Sequence, residues 1–272
     1  MIRSTRSLVG LAALAFASAC GSADKSTTGQ LVVRLSDAPG DQIQSATVWV
    51  SSIYLIGGGD TTGSHLAITS TPAQYDLMSL QGGVTAALGT ATIPVGDYTQ
   101  MRLVVDSARV TLKSPLTFSD ASITKTLQTP SAQRTGIKVN FSGPVHVAAG
   151  QTILVVDFDV ARNFVFTGPS ASPTGVLFKP VLHATVQDIA GSIAGTVSPA
   201  NAKAQLFAIA NGDTVASAFA DTTSGAYVLR YLDPRVSPFT VAVTATGMAA
   251  QTRAVPLRTA QDTTGVNFTL TP

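Results

Sequence analysis

From Leu31 onward, apolar residues recur at period two in short runs, and clusters of Gly, Pro, Asn, Asp and Ser separate the runs. Alternation of this kind puts successive side chains on opposite faces of a strand; a helix would repeat every three or four residues. Residues 31–35 predict a first short strand, stopped by turn-forming residues at 36–40. Residues 46–56 predict a long strand rich in Val, Ile, Trp and Tyr, closed by a Gly run at 57–59 and Asp60. Residues 98–112 show the period most clearly, with Met101, Leu103 and Val105 on one face and Gln100, Arg102 and Asp106 on the other. Residues 145–158 break at Ala149 and Gly150, and residues 178–186 predict the strand that closes this region. Residues 119–134, rich in Ser and Thr, read as a long connection or an edge hairpin. A helical turn or two fits only at 78–88, where Gly82 and Gly83 interrupt it.

A second series begins near Gly191. Runs at 192–197, 204–209, 215–220, 226–231, 239–246, 250–257 and 266–270 predict seven short strands. Asn211-Gly212 between two of them supplies the positive φ values of a tight hairpin. Seven strands at that spacing are the pattern of a transthyretin- or immunoglobulin-like sandwich. The expected fold is all-β, with two β-sandwich domains at 30–188 and 190–272.

The first residues follow a different rule. Arg3 and Arg6 precede an apolar run at 8–16 that is too short to span a bilayer, so residues 1–19 predict an export signal. Ala17-Ser18-Ala19 then lead to Cys20, the single Cys of the chain. The junction resembles the lipobox of bacterial lipoproteins, with Ala17 where Leu is commoner. The resemblance implies that Cys20 is lipidated, that residues 20–29 are its polar tether, and that the protein sits in the cell envelope, on the outer membrane. Arg3 and Arg6 also account for the formal charge of +2, and nothing else in the chain clusters Lys or Arg, so nucleic acid is not an expected partner. The expected partners are the membrane, through the lipid, and a polysaccharide or another envelope protein.

Composition removes several chemistries. One Cys excludes an internal disulfide and a Cys-based metal cage. All 15 acidic residues are Asp, which excludes HExxH metalloproteases and glycosidases with a Glu acid. No Gly-x-Ser-x-Gly elbow or Walker loop is present. His65, His146 and His183 are scattered among apolar neighbours, so His183 reads as a half-buried structural residue. No catalytic residue is assigned, and the chain is expected not to be an enzyme. Asp157 and Asp159 stand two apart in a strand-like run, so alternation sends both carboxylates to one face. With Asp37 and Asp41, if the first and penultimate strands pair, they form a candidate calcium set. The competing reading makes them strand-end caps, or a buried carboxylate partnered by Arg34 or Arg102. Trp49, Tyr54, Tyr75 and Tyr98 are aromatic candidates for a sugar-stacking surface, Trp49 and Tyr54 foremost.

Two stretches carry family resemblances. Residues 31–39, with Trp49 and Tyr54 downstream, resemble the opening of the bacterial lipoprotein domain family of unknown function numbered 4382. Residues 150–159 and 178–181 resemble its closing segment. That family implies export, often lipidation, and no established chemistry. Residues 191–197 and the Asp221-to-Leu229 hairpin resemble carboxypeptidase regulatory-like and Cna-B-like sandwich modules. In such modules an isopeptide bond joins a Lys to Asn or Asp beside an acid; Lys203 and Asn267 are the residues available here, without a Glu. The function these features suggest is non-enzymatic adhesion, matrix or surface scaffolding, with a carbohydrate-binding surface module as the alternative and an enzyme with a dispersed site behind both.

Overall fold

The computed structural model describes residues 26–37, 40–57 and 65–272. The signal and Cys20 lie outside the described residues, as do parts of the turns expected at 36–40 and 57–60. The protein is all-β: among the described residues strands hold 57% and helices 9%.

The first thirteen strands are β1 (Thr28–Ser36), β2 (Ile43–Gly57), β3 (His65–Thr69), β4 (Ala73–Asp76), β5 (Ala86–Pro94), β6 (Gly96–Leu112) and β7 (Thr124–Gln128), then β8 (Ile137–Phe141), β9 (Val145–Val147), β10 (Gln151–Asp157), β11 (Phe164–Thr167), β12 (Gly175–Phe178) and β13 (Leu182–Val186). Eleven of them form one sheet whose main path runs β3-β2-β6-β8-β13-β10-β1-β5, with β4 beside β2 and β7 and β9 beside β6. β3 also packs against β5, so the sheet curls until its ends approach each other. The two layers of the expected sandwich are thus continuous. Leu31, Val33, Leu35, Met101, Leu103, Val105 and Val156 fill the inside, each almost wholly shielded from water. β11 and β12 pair separately as a ribbon.

The second series gives β14 (Gly191–Ser198), β15 (Gln205–Ala210), β16 (Asp213–Phe219), β17 (Ala226–Leu232), β18 (Phe239–Thr244), β19 (Gln251–Val255), β20 (Asp262–Thr263) and β21 (Phe268–Thr269). One sheet is β17-β14-β20, with β21 also on β14; the other is β16-β15-β18-β19. Between them lies a separate apolar core that includes Ile193, Leu206, Leu229, Phe239 and Val241. The seven expected strands are all present, and the two-residue β20 joins them. The β15–β16 hairpin turns at Asn211 (φ 52°) and Gly212 (φ 86°), the left-handed pair that its sequence predicts.

Two expectations need correction. Residues 178–186 are not one strand: Phe178 ends β12, and β13 starts at Leu182. Between them Pro180 has no N–H to give a ladder, while Lys179 N donates to Asn163 O and Val181 N to Asn163 Oδ1, both at 2.9 Å. In residues 119–134 the edge-hairpin alternative is present, since β7 pairs antiparallel with the preceding strand β6; the correction is that a short helix α1 (Pro130–Thr135) follows it.

The two series meet through a short hydrogen-bonded turn in which Ile189 N and Ala190 N both donate to Val186 O. Side chains then reach across. Arg162 Nη1, from the short helix α2 (Val160–Asn163), donates to Thr214 O at 2.6 Å. Tyr231 Oη donates to Gly83 O at 3.0 Å, and Arg235 Nη1 to Pro144 O at 2.7 Å. Each bond ties a side chain of one unit to the backbone of the other, so the joint is polar and the two apolar cores stay distinct.

Candidate functional site

The parallel pairing of β1 with β10 sets Ser36 opposite Asp157, so Asp37 and Asp157 come to the same end of the first unit. The alternation argument for Asp157 and Asp159 fails, however, because β10 stops at Asp157 and Asp159 takes a left-handed backbone (φ 49°) ahead of α2. Both carboxylates still reach the joint. Asp37 is buried, and its Oδ1 accepts from Val160 N at 2.9 Å, which fixes the start of α2. Asp41 is exposed and lines a different hollow from the one that Asp37 and Asp157 share. Among the described residues no three Asp or His side chains converge as a metal would require, so the four Asp are not brought together as the candidate calcium set.

What they form is a titratable seam. Burial pushes the Asp157 carboxyl well above the usual range, and the neighbouring Asp159 charge pushes the same way. Asp159, 5% exposed, rises to about 6 through burial. Ser217 Oγ from β16 and the Arg162 guanidinium offset part of that rise. Among the described residues neither Asp159 oxygen nor Ser217 Oγ completes a hydrogen bond. The cation serving these carboxylates is therefore Arg162, not Arg34 or Arg102 as expected. Arg34 bonds Thr85 Oγ1, and Arg102 bonds Gln100 Oε1 and Gly136 O. His183 pairs in register with Asp157 and also faces the joint, half-buried; burial, then the Arg162 charge, lower its pKa, while Asp213 opposes the shift. Among the described residues the seam's polar groups meet across the joint, Asp157 and Asp159 from the first unit and Ser217 from the second.

The aromatic candidates are more occupied than the sequence suggests. Trp49 and Tyr54 are five positions apart, which alone would put them on opposite faces; the β2 register shift between Val50 and Ser52 returns both to the outer face. There Arg109 lies 5.3 Å from the Trp49 ring centroid, and His65 stacks on Tyr54 at 4.7 Å. Tyr98 is fully buried, its hydroxyl donating to Pro94 O, and Tyr75 bonds Ala87 O. His146 bonds exposed Asp97. Lys203 and Asn267 do not form the linkage pair: Asn267 Oδ1 accepts from Thr196 N and Oγ1, while Lys203 stands exposed beside the joint.

Sequence reasoning missed a groove of about 480 Å³ between the units, walled by α2, β11 and the start of β2 on one side and by β15, β16 and β18 on the other. Its residues lie far apart in the chain, so no local motif announces it. Phe219 was the available signal: it is a large aromatic on a strand whose core-facing positions are filled by Ala216 and Ala218.

Residues 28–180 match a family described as Domain of unknown function (DUF4382). No curated protein matches the chain. Among solved structures, the Bacillus anthracis TIE protein aligns at 10% identity and a TM-score of 0.21, over 89% of this chain and 34% of its own. A fimbrial protein from Bacteroides ovatus aligns at 10% identity and a TM-score of 0.19, over 90% and 51%. The major pilin T-13 from Streptococcus pyogenes aligns at 12% and 0.16, over 88% and 94%. The chain spans about a third of the length of the first of these. Scores of this size carry no argument about role. Among the described residues no helix is long and apolar enough to cross a membrane.

Proposed function

Since the chain belongs to the DUF4382 family over residues 28–180, a family whose description assigns no activity, we propose that it is a non-enzymatic scaffold of the cell envelope, held to the outer membrane by lipid on Cys20. The observation that carries the reading is the joint. A linker closed by its own hydrogen bonds, with Arg162, Tyr231 and Arg235 each gripping backbone across the seam, makes two β units into one spacer. A spacer serves adhesion or matrix assembly only if its base is fixed, which is the task given to Cys20. Lipid fits that task because acyl chains bury against the bilayer without a spanning helix.

The test separates base from spacer. The full chain with its native leader should fractionate with membranes, and Cys20→Ser should release a processed, folded protein to the soluble fraction. Cell attachment or matrix retention should fall in that variant, and also in Arg162→Ala with Tyr231→Phe, which removes two bonds across the joint but leaves the anchor and the Arg235–Asp233 pair. If cleaved Cys20→Ser protein stays with the membrane, the lipid reading fails. Retention that survives both changes would dispose of the scaffold reading. The carbohydrate alternative through Trp49 and Tyr54 is not adopted, because Arg109 and His65 already occupy those rings.

A further inference from the structure

Phe219 belongs to neither apolar core and is only half-buried. Its strand register explains where it points. Gln205 on β15 pairs with Phe219 on β16 and with Thr244 on β18, so the three side chains form a row across the sheet, about 4.8 Å apart from strand to strand. The row lies on the face opposite the core, which takes Leu206, Ala218 and Val243 from the adjacent register. Across the groove stands Phe166, half-buried on β11, its ring steadied by Phe118 at 6.3 Å between centroids. The hollow of about 480 Å³ falls within the range of roughly 300–1,000 Å³ typical of small-molecule sites, which favour seams between domains.

We propose that this groove binds a neutral oligosaccharide, with Phe219 and Phe166 against the C–H faces of its rings and Gln205 and Thr244 bonded to its hydroxyls. The charge pattern selects the class. Among the described residues lining the groove, only Asp41 and Lys203 ionise, one on each wall, so the site carries no net charge to draw a polyanion. The polar side chains between the aromatics disfavour a lipid tail. A peptide added as a strand pairs along a free sheet edge, but Gln205, Phe219 and Thr244 form a row across a sheet face, and β15 and β18 each have neighbours on both sides. The free edges of β16 and β11 lie to the side of that row, so the row offers side chains and not ladder hydrogen bonds. An amide both donates and accepts, as a sugar hydroxyl does, and a phenyl ring removes the apolar side of a pyranose from water. The row is set by strand pairing, so it is in place before the ligand arrives. The proposal is independent of the anchor.

Mature protein carrying Cys20→Ser, titrated calorimetrically with short neutral gluco-, manno- and galacto-oligosaccharides, should bind at least one series saturably. Phe219→Ala and, separately, Gln205→Ala should weaken that binding by about tenfold, the scale of one lost aromatic or hydrogen-bonding contact. Both variants should melt close to the parent protein, because neither residue is in a core, and Trp49→Ala should bind as the parent does. The proposal is overturned if none of the neutral series binds, if binding survives both groove substitutions, or if it is lost in Trp49→Ala alone. Preference for a uronic-acid oligosaccharide or an extended peptide over every neutral sugar would overturn it equally.

Discussion

Asp159 sits where ionisation is costly. Its pKa of about 6 lies above the ordinary aspartate value of roughly 3.9, so the folded protein keeps a proton that the unfolded chain has already released. Its effect on stability is therefore most favourable below about pH 4, worsens as pH rises to about 6, and stays constant above that. Asp159→Asn abolishes this dependence. The variant should be more stable than the parent at pH 7.5 by up to about 3 kcal/mol, with the gap closing between pH 6 and pH 4. His183 remains in both proteins and does not feel Asp159, so it cancels. Asp157 is raised in part by the Asp159 charge, so the difference reports Asp159 together with its repulsion of Asp157, and both act in the same direction. Urea denaturation across that pH range measures it; a gap independent of pH, or a less stable variant at pH 7.5, would refute the account. The sequence marked Asp157 and Asp159 as unusual because carboxylates rarely stand in apolar strands. It could not show Arg162 or Ser217 as their neighbours, since Ser217 arrives only when the second unit docks.

Elements were legible wherever one face of a strand is wet and the other dry. The period in 98–112 and the Asn211-Gly212 turn belong to that kind, and both appear as expected. The curl that makes β3 approach β5, and the register shift that realigns Trp49 with Tyr54, are not local properties and left no pattern to read. Two turns of the second unit, the β15–β16 hairpin and the crossing from β16 to β17, allow a contrast between two glycines. Gly212 has φ 86° with open space around its missing side chain, so Gly212→Ala meets backbone strain alone, about 1 kcal/mol. Gly225 has φ 73°, and a Cβ there would collide with the Val197 carbonyl of β14, a backbone atom that cannot move without breaking the sheet. Gly225→Ala should thus lower the denaturation midpoint of the protein far more than Gly212→Ala. Equal midpoints would show that the β14–β17 packing is looser than described.

At the scale of the whole molecule, the question is whether the second unit needs the first. Two sets of contacts bear on it. The core around Ile193, Leu206, Leu229, Phe239 and Val241 is assembled only from residues 193–270. The bonds that cross the seam are polar, from Arg162, Tyr231 and Arg235 to carbonyl oxygens that water can also serve. Cutting at Gly191 therefore exposes Phe219, Ser217 and Tyr231 but opens no core. A fragment of residues 191–272 should fold alone, with a β-type far-ultraviolet spectrum and a single cooperative melt. Its stability should be modest, a few kcal/mol, because a unit of this size without disulfides buries a smaller share of its surface than a larger domain does. Asp233 gives the fragment an internal check. Its buried carboxylate is held by Arg235 within the same unit, at 2.6 Å from Nη2, so that pair should survive the cut although the Arg235 bond to Pro144 is lost. Asp233→Ala should consequently destabilise fragment and full chain alike. A random-coil spectrum would show instead that the sheet β16-β15-β18-β19 requires the first unit against its outer face, and the seam would then be part of the folding unit.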